Sequence, residues 1–273
     1  MNIVQSYIIN NDNYKANVNR IDSRYTTFQN RGPLGLLIHS VGCPQPNPEV
    51  FFRSWNQPGK QVSVHAMGDG NRILQFLPWN YRAWHAGGDA NNTHVGYEMT
   101  EPSFIQYTSG SNWVVKSGYN LTHVENFVRG TYATAVELFA MLCKQYKLDP
   151  LKDGVIISHS EGYKRKIASN HGNVEHIWKK FGMSMNQFRQ DIKKAMTPTV
   201  VAPPVVVTPP VVTPTPPKGS GDNPSSWAKE GTDWAKSIKL FEGDGQGNFD
   251  WQDPTTREMA AVVFHKFTNL VKL

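Results

Sequence analysis

Short apolar runs separated by glycine-rich and polar segments predict the strands of a sheet. Residues 34–41 are almost continuously apolar, which is typical of a central strand buried on both faces. Residues 62–67 and 72–77 flank the turn sequence Gly-Asp-Gly-Asn and predict a hairpin. Residues 93–100 and 155–157 predict two further strands.

Three segments carry the start signals of helices. Asn47 as N-cap and Pro48 at the first helical position predict a short helix. A capping box at residues 122–125 precedes apolar positions with helical spacing and predicts a long amphipathic helix. A second capping box at residues 184–187 predicts a helix that ends near Met196.

The order of these elements indicates two domains. Strands interleaved with helices predict that residues 1–196 form an α/β domain with a mixed central sheet flanked by helices. Its first 30 residues have weak periodicity and are interpreted as an entry segment packed over the domain. Residues 197–224 are rich in Pro, Thr and Val and predict a stiff, extended linker. Residues 225–273 predict a small helical module, which is marginal in size for independent stability.

Composition narrows the range of partners. The net charge of +6 favours a polyanionic partner, either nucleic acid, an anionic cell wall or a membrane surface. Nucleic acid is the weaker choice, because the basic residues do not cluster with stacking aromatic residues. No apolar run has membrane-spanning length. The first residues lack the pattern of a signal peptide, so synthesis in the cytoplasm is expected, and Cys43 and Cys143 are expected to be reduced thiols, although one bridge between them is an alternative.

Potential metal ligands are concentrated in residues 158–176, SHSEGYKRKIASNHGNVEH, which follow a predicted strand. His159 begins this segment, and His39 ends another predicted strand. If these strands are neighbours, both imidazoles face one ion, and neutral imidazole suits Zn²⁺. The third ligand is left open among the later donors of the segment, which are His171, Asn173, Glu175 and His176.

A zinc-bound water also needs a carboxylate nearby as general base. Glu98 is the best candidate, because it lies near the end of the strand predicted for residues 93–100. Glu101 is the alternative. Each of the two histidines considered alone is better explained as a buried structural residue, so the metal hypothesis depends on His39, His159 and the donor-rich segment together.

Four motifs carry a resemblance to a known family: LLIHS (36–40), AWHAGG (83–88), VGYEM (95–99) and the segment 158–176. They resemble the zinc-dependent N-acetylmuramoyl-L-alanine amidases of the peptidoglycan-recognition-protein type, particularly phage endolysins and bacterial autolysins. The resemblance implies cleavage of the peptidoglycan amide between N-acetylmuramic acid and L-alanine. It also implies that His39 and His159 bind Zn²⁺ and that Glu98 activates the bound water.

The same resemblance assigns the remaining site residues. It places His171 as the group that stabilises the oxyanion and Asn173 as the third ligand, where related sequences carry Asp or Cys. Because an amide is a poorer ligand, this departure implies reduced zinc affinity, ligation by His171 instead, or impaired catalysis. His65 and His85 match positions that line the family's cleft, and Trp84 and Tyr163 are further candidate substrate contacts, for each of which a packing role is the alternative.

The C-terminal module resembles an S-layer homology repeat, with Trp234 and Arg257 as candidate contacts to a secondary cell-wall polymer of a Gram-positive host. The family usually carries three repeats, so a single repeat is expected to bind weakly or to need self-association. Together these features predict a lytic amidase, most simply a phage endolysin that is made in the host cytoplasm and acts on the wall after release. The alternative is a protein that binds peptidoglycan without cleaving it.

Overall fold

The computed structural model describes residues 2–171, 174–197 and 228–241, and the single residues 224, 249, 251 and 263. Its contacts divide the chain into two compact units, Met1–Val200 and Val201–Leu273. The linker and module boundaries at residues 196 and 224 stay predictions. The sequence Thr-Thr-Arg-Glu at residues 255–258 also predicts a capping box that starts a C-terminal helix, and this box lies outside the described residues.

A six-stranded mixed sheet forms the centre of the first unit, in the order β1-β4-β3-β5-β2-β8. Strand β2 is parallel to both of its neighbours, whereas β3 and β4 form an antiparallel pair. A separate hairpin, β6-β7, follows β5. The strands are β1 (Ile3–Gln5), β2 (Gly35–Ser40), β3 (Ala66–Gly68), β4 (Ile73–Gln75), β5 (His94–Met99), β6 (Ile105–Ser109), β7 (Asn112–Val115) and β8 (Ile156–Ser158).

Helices cover the sheet and connect its strands. In the first unit these are α1 (Asp12–Asn19), α2 (Ser23–Arg31), α3 (Pro48–Trp55), α4 (Leu121–Tyr146), α5 (His159–Lys164), α6 (Glu175–Trp178) and α7 (Met185–Met196). The mixed α/β class with a flanked central sheet is therefore confirmed. In the part of the chain that the structure describes, no helix has the length and apolar character needed to cross a membrane.

The side chains of β2 point alternately to the core and to the functional face of the sheet. Leu36 and Ile38 pack in the main core with residues of α4 and α7. Leu37 points to the opposite face, where it packs with Ile157 and small residues. Because side chains alternate along a strand, His39 belongs to the same face as Leu37. The large core therefore lies behind the site and leaves its front open.

The second unit contains α8 (Lys229–Ser237) among its described residues. Ala235 is buried and Trp234 is exposed. The ammonium group of Lys236 lies over the ring of Phe249, 4.3 Å from its centroid. Arg257, the other candidate wall contact, lies outside the described residues.

The N-terminal segment and the start of α4 differ in detail from the sequence prediction. The first 30 residues, predicted only as an entry segment, contain β1, α1 and most of α2. Helix α4 begins earlier than predicted, because Asn120 rather than Thr122 is its N-cap. The capping box pairs Asn120 with His123, and the prediction of a box at residues 122–125 was wrong.

Candidate active site

Three neighbouring parallel strands bring the predicted site residues to one edge of the sheet. His39 of β2 is in register with Glu98 of β5, so both side chains project from the same face. On the other side of β2, Ile38 is paired with Ser158 of β8. His159 therefore begins α5 beside His39. Carboxyl ends of parallel strands are a frequent location of binding sites in α/β folds.

A chain of hydrogen bonds fixes the tautomer of His39. His85 donates from Nε2 to the carbonyl of His94 at 3.2 Å, which leaves its Nδ1 as an acceptor. His39 donates from Nε2 to that Nδ1 at 2.8 Å. The Nδ1 atom of His39 consequently carries a lone pair, because a neutral imidazole has one donor and one acceptor. Burial, followed by the neighbouring histidines His85 and His159, holds the pKa of His39 well below its usual value and keeps it neutral.

The lone pair of His39 faces a second imidazole. Nδ1 of His159 lies 3.2 Å from Nδ1 of His39. The other nitrogen of His159 lies 3.3 Å from Oγ of Ser169, which can accept its proton. Ser169 also pairs at 2.9 Å with Nδ1 of His171, whose ring centroid is 5.2 Å from that of His159. In the tautomer of His159 whose Nε2–H donates to Ser169, the two Nδ1 atoms face each other as acceptors.

Glu98 has the properties of a proton-transfer group. Its Oε2 atom is buried and has no hydrogen-bond partner in the described part of the chain. Burial, with a smaller contribution from Glu101, raises the pKa of Glu98 to about 8. A carboxyl group with a pKa near neutrality can both accept and return a proton in one reaction cycle.

Glu101 is unsuited to the same role. It is only 1% exposed. Its carboxylate accepts hydrogen bonds from the hydroxyl of Ser40, from the Gly42 N–H at 3.1 Å and from the Tyr107 hydroxyl at 2.6 Å. Nε2 of His176 is 3.5 Å away. These contacts occupy both carboxylate oxygens, so Glu98 remains the candidate base.

An open cavity of about 510 Å³ exposes this cluster, and its lining includes His39, Glu98, His159, His171 and Ser169. The cavity also reaches Trp84 and His85, two of the residues predicted to contact substrate.

His65 and Tyr163, the other two predicted contacts, do not line this cavity. His65 is 0% exposed and lies behind it. Its Nδ1 accepts a hydrogen bond from the Gly96 N–H at 3.0 Å, and its Nε2–H donates to the Tyr81 carbonyl at 2.7 Å. Tyr163 lies on the exposed side of α5. Asn173 lies outside the described residues, and among the residues that are described no three His, Cys, Asp or Glu side chains are placed to hold a metal ion.

The role of His85 in holding the imidazole of His39 was not predicted from the sequence. A Cβ atom at Gly96 would approach the His85 ring to 2.6 Å, so glycine is needed there for His85 to lie across β5. The sequence signal was a glycine inside an apolar strand, which often marks a close approach of another group.

Buried imidazoles beside an unpaired carboxyl group, at the open edge of an α/β sheet, form a site typical of hydrolases that activate water. A sequence model of the N-acetylmuramoyl-L-alanine amidase family matches residues 29–172, which is more than half of the chain. The chain belongs to this family.

Individual relatives are distant. N-acetylmuramoyl-L-alanine amidase XlyA of Bacillus subtilis (strain 168) is 24% identical over 169 residues, which cover 58% of this chain and 55% of the relative. The chain thus spans about half the length of that curated relative. Among solved structures, the Staphylococcus aureus hydrolase AmiA is 16% identical, with 60% of this chain and 73% of that chain covered and a TM-score of 0.48. The catalytic domain of XlyA is 18% identical, with 70% and 99% covered and a TM-score of 0.44.

Proposed function

We propose that this protein hydrolyses the peptidoglycan amide between the lactyl group of N-acetylmuramic acid and L-alanine, as a lytic enzyme of the endolysin type. Membership of the amidase family supports the reaction class. The observation that carries the proposal is the unpaired Oε2 of Glu98 beside the two facing imidazoles, because amide hydrolysis needs a group that moves protons at an activated water.

The donor set also fits a zinc ion. Two Zn–N bonds of ordinary length at a tetrahedral angle place the nitrogens about 3.3 Å apart. The observed Nδ1–Nδ1 distance of His39 and His159 is 3.2 Å. Two lone pairs at this distance repel each other unless a metal ion or a proton lies between them. His39 and His159 would hold the ion, and Asn173 is the proposed third ligand, with His171 as the alternative.

Each residue of the site then has a separate role in the reaction. A bound zinc ion would acidify water and polarise the scissile carbonyl. Glu98 accepts a proton from the attacking water and later returns it to the leaving nitrogen of L-alanine. His171, exposed on the cavity wall, stabilises the oxyanion that develops on the carbonyl oxygen. His85 holds His39 in the tautomer that directs its Nδ1 into the site.

The main test is release of soluble stem peptides from purified cell walls. The wild type should release peptides and lose this activity with a chelator. Glu98→Gln should lose at least about 100-fold in rate while keeping its metal content, and His39→Ala should lose both. His123→Ala, which changes an exposed histidine at the start of α4, is the matched control and should keep both properties.

One outcome of this test would contradict the enzyme, and another would contradict the role of Glu98. Wall binding without peptide release by the wild type would support the alternative, a non-catalytic peptidoglycan-binding protein, which the amide at Asn173 favours. Unchanged activity of Glu98→Gln would remove Glu98 from the mechanism.

Metal analysis of two further variants tests the third ligand. If Asn173 ligates zinc, Asn173→Asp should raise zinc affinity, because a carboxylate is a better ligand than an amide. His171→Ala should then lower activity and leave the metal content unchanged. An emptied site in His171→Ala, with no effect of Asn173→Asp, would exchange the two roles.

We also propose that residues 225–273 attach the enzyme to a secondary polymer of a Gram-positive wall, through Trp234 and Arg257. Trp234 is exposed on α8, as a residue that contacts a polymer must be. A full-length Trp234→Ala, Arg257→Ala double variant should bind polymer-bearing walls more weakly than the wild type. Equal binding to walls stripped of the polymer would contradict this attachment.

A further inference from the structure

A second cavity lies next to Trp84, away from the histidine cluster. Its volume is about 240 Å³. Trp84 lines both this cavity and the one that contains Glu98 and His39. The two cavities therefore adjoin at Trp84. The lining of the second cavity also includes Asp12, Ile21, Arg24, Tyr25 and Gln61.

The indole of Trp84 is held in place before any ligand arrives. The side chain of Arg82 is buried, and its guanidinium carbon lies 5.4 Å from the Trp84 ring centroid and 5.0 Å from that of Tyr25. The backbone of Trp84 is fixed by Ser63, whose Oγ accepts its N–H at 2.9 Å and whose N–H donates to its carbonyl at 3.2 Å. Even so, Trp84 is 41% exposed. An ordered aromatic ring with one free face is a low-entropy binding platform.

The N-terminal helices build the rest of this cavity. Asn13 and Asn17 of α1 each donate from Nδ2 to the Arg82 carbonyl at 2.8 Å, and Asn17 Oδ1 accepts the Arg82 N–H at 2.7 Å. Ile21, which follows α1, is 62% exposed at the cavity. Most of the lining thus comes from residues before position 29, where the match to the amidase family begins. The cavity is a property of this chain rather than of the matched family region.

The charges of the cavity favour a neutral, hydroxyl-rich ligand. Arg24 is paired with Asp22 at 2.6 Å, and Arg82 is buried under the ring of Trp84. The lining therefore offers no unpaired cation for the carboxylates of a stem peptide. Its apolar surfaces, Trp84 and Ile21, match the C–H face of a pyranose ring. Asp12 and Gln61 can exchange hydrogen bonds with hydroxyl and acetamido groups.

We propose that this cavity is a subsite for a sugar of the glycan strand, adjacent to the N-acetylmuramic acid whose amide is cut, with Trp84 and Ile21 as its contact surfaces. The position of this subsite next to the cleaved N-acetylmuramic acid rests on the proposed function. The binding of a peptide-free glycan, in contrast, can be measured without any hydrolysis.

The test uses the full-length protein and a peptide-free tetrasaccharide of alternating N-acetylglucosamine and N-acetylmuramic acid, with binding measured by calorimetry. Ile21→Ser should weaken binding about five-fold and Trp84→Ala about ten-fold, from the lost apolar contact. Val18→Ser is the matched control, because Val18 is 54% exposed on α1 and does not line the cavity. It should bind like the wild type.

Several results would overturn the subsite. These are no binding of the tetrasaccharide by the wild type, equal affinities of Ile21→Ser and Val18→Ser, or a loss confined to binding of the free stem peptide. A second measurement compares kcat/KM for muropeptides with one sugar and with four. The preference for the longer substrate should fall in Ile21→Ser and persist in Val18→Ser. If the wild type cleaves neither substrate, the proposed function fails while the binding result still decides the subsite.

Discussion

The buried histidine behind the site should make the protein sensitive to mild acid. His65 is fully buried, and its Nδ1 accepts the Gly96 N–H while its Nε2–H donates to the Tyr81 carbonyl. Protonation of Nδ1 would place two donors against each other, 3.0 Å apart, in an apolar environment. Burial accordingly lowers the pKa of His65 to about 4, against 6.5 for an ordinary histidine.

This shift sets the direction and size of the effect. The pKa is lower in the folded state, so the unfolded chain takes up the proton first as pH falls below about 6.5. Stability from neutral His65 is complete above that pH and declines until the folded pKa is reached. A difference of this size corresponds to about 3 kcal/mol in total, of which about 2 kcal/mol is lost between pH 7 and pH 5.

Urea unfolding at pH 7, 6 and 5 would measure this loss, with His65→Asn as the comparison. Asparagine cannot titrate, but its Oδ1 can still accept the Gly96 N–H. The variant should be less stable at pH 7, because it loses the bond to Tyr81. Its unfolding free energy should then fall by about 2 kcal/mol less than that of the wild type on going to pH 5. Parallel pH profiles for the two proteins would refute the assignment of a neutral, buried His65.

Two further substitutions test the supports of the site. Glu101→Gln should lower the free energy of unfolding, measured by urea titration, by about 2–3 kcal/mol. The reason is that the amide group of Gln is itself a donor, whereas Ser40, Gly42 and Tyr107 all donate hydrogen bonds to this position. Unchanged stability would contradict this acceptor role of Glu101. Gly96→Ala should displace the His85 ring, which its Cβ would approach to 2.6 Å, and cost about 1–3 kcal/mol together with amidase activity. Gly130→Ala is the control within α4, where the added Cβ meets only one atom at 3.8 Å, and it should keep full activity; equal losses in both variants would contradict the role of Gly96.

The central strands could be predicted because their apolar runs reflect burial directly. Two histidines that end such strands were expected to converge, and the 3.2 Å separation of His39 and His159 agrees with that expectation. Glu98 could be placed for the same reason, since its strand pairs in register with that of His39. Because neighbouring parallel strands end at the same edge of the sheet, residues at their ends are close in space although they are far apart in the sequence.

The N-terminal helices could not be predicted in this way, because polar contacts hold them rather than an apolar stripe. Asn13 and Asn17 of α1 are buried and satisfy backbone groups of the segment around Arg82. By their polarity these asparagines look like surface residues, so the pattern of apolar positions in this segment gives only a weak indication of a helix. The start of α4 was misplaced for a different reason: Asn120 and Thr122 both have cap chemistry, and only the three-dimensional path of the chain selects Asn120.

The polar network of α1 and the imidazole chain meet in the four residues from Arg82 to His85. Arg82 is bonded through its backbone to Asn17, Trp84 is held by Ser63, and His85 donates its N–H to Asn91 Oδ1 at 2.8 Å. His85 in turn fixes the tautomer of His39. Buried polar networks tolerate few donors or acceptors without a partner. A substitution in α1 that removes one of these hydrogen bonds should therefore also displace the segment from Arg82 to His85. One continuous segment thus positions both the proposed sugar platform, Trp84, and His85, so a substitution in α1 that displaces Trp84 should also displace the ring that fixes the tautomer of His39.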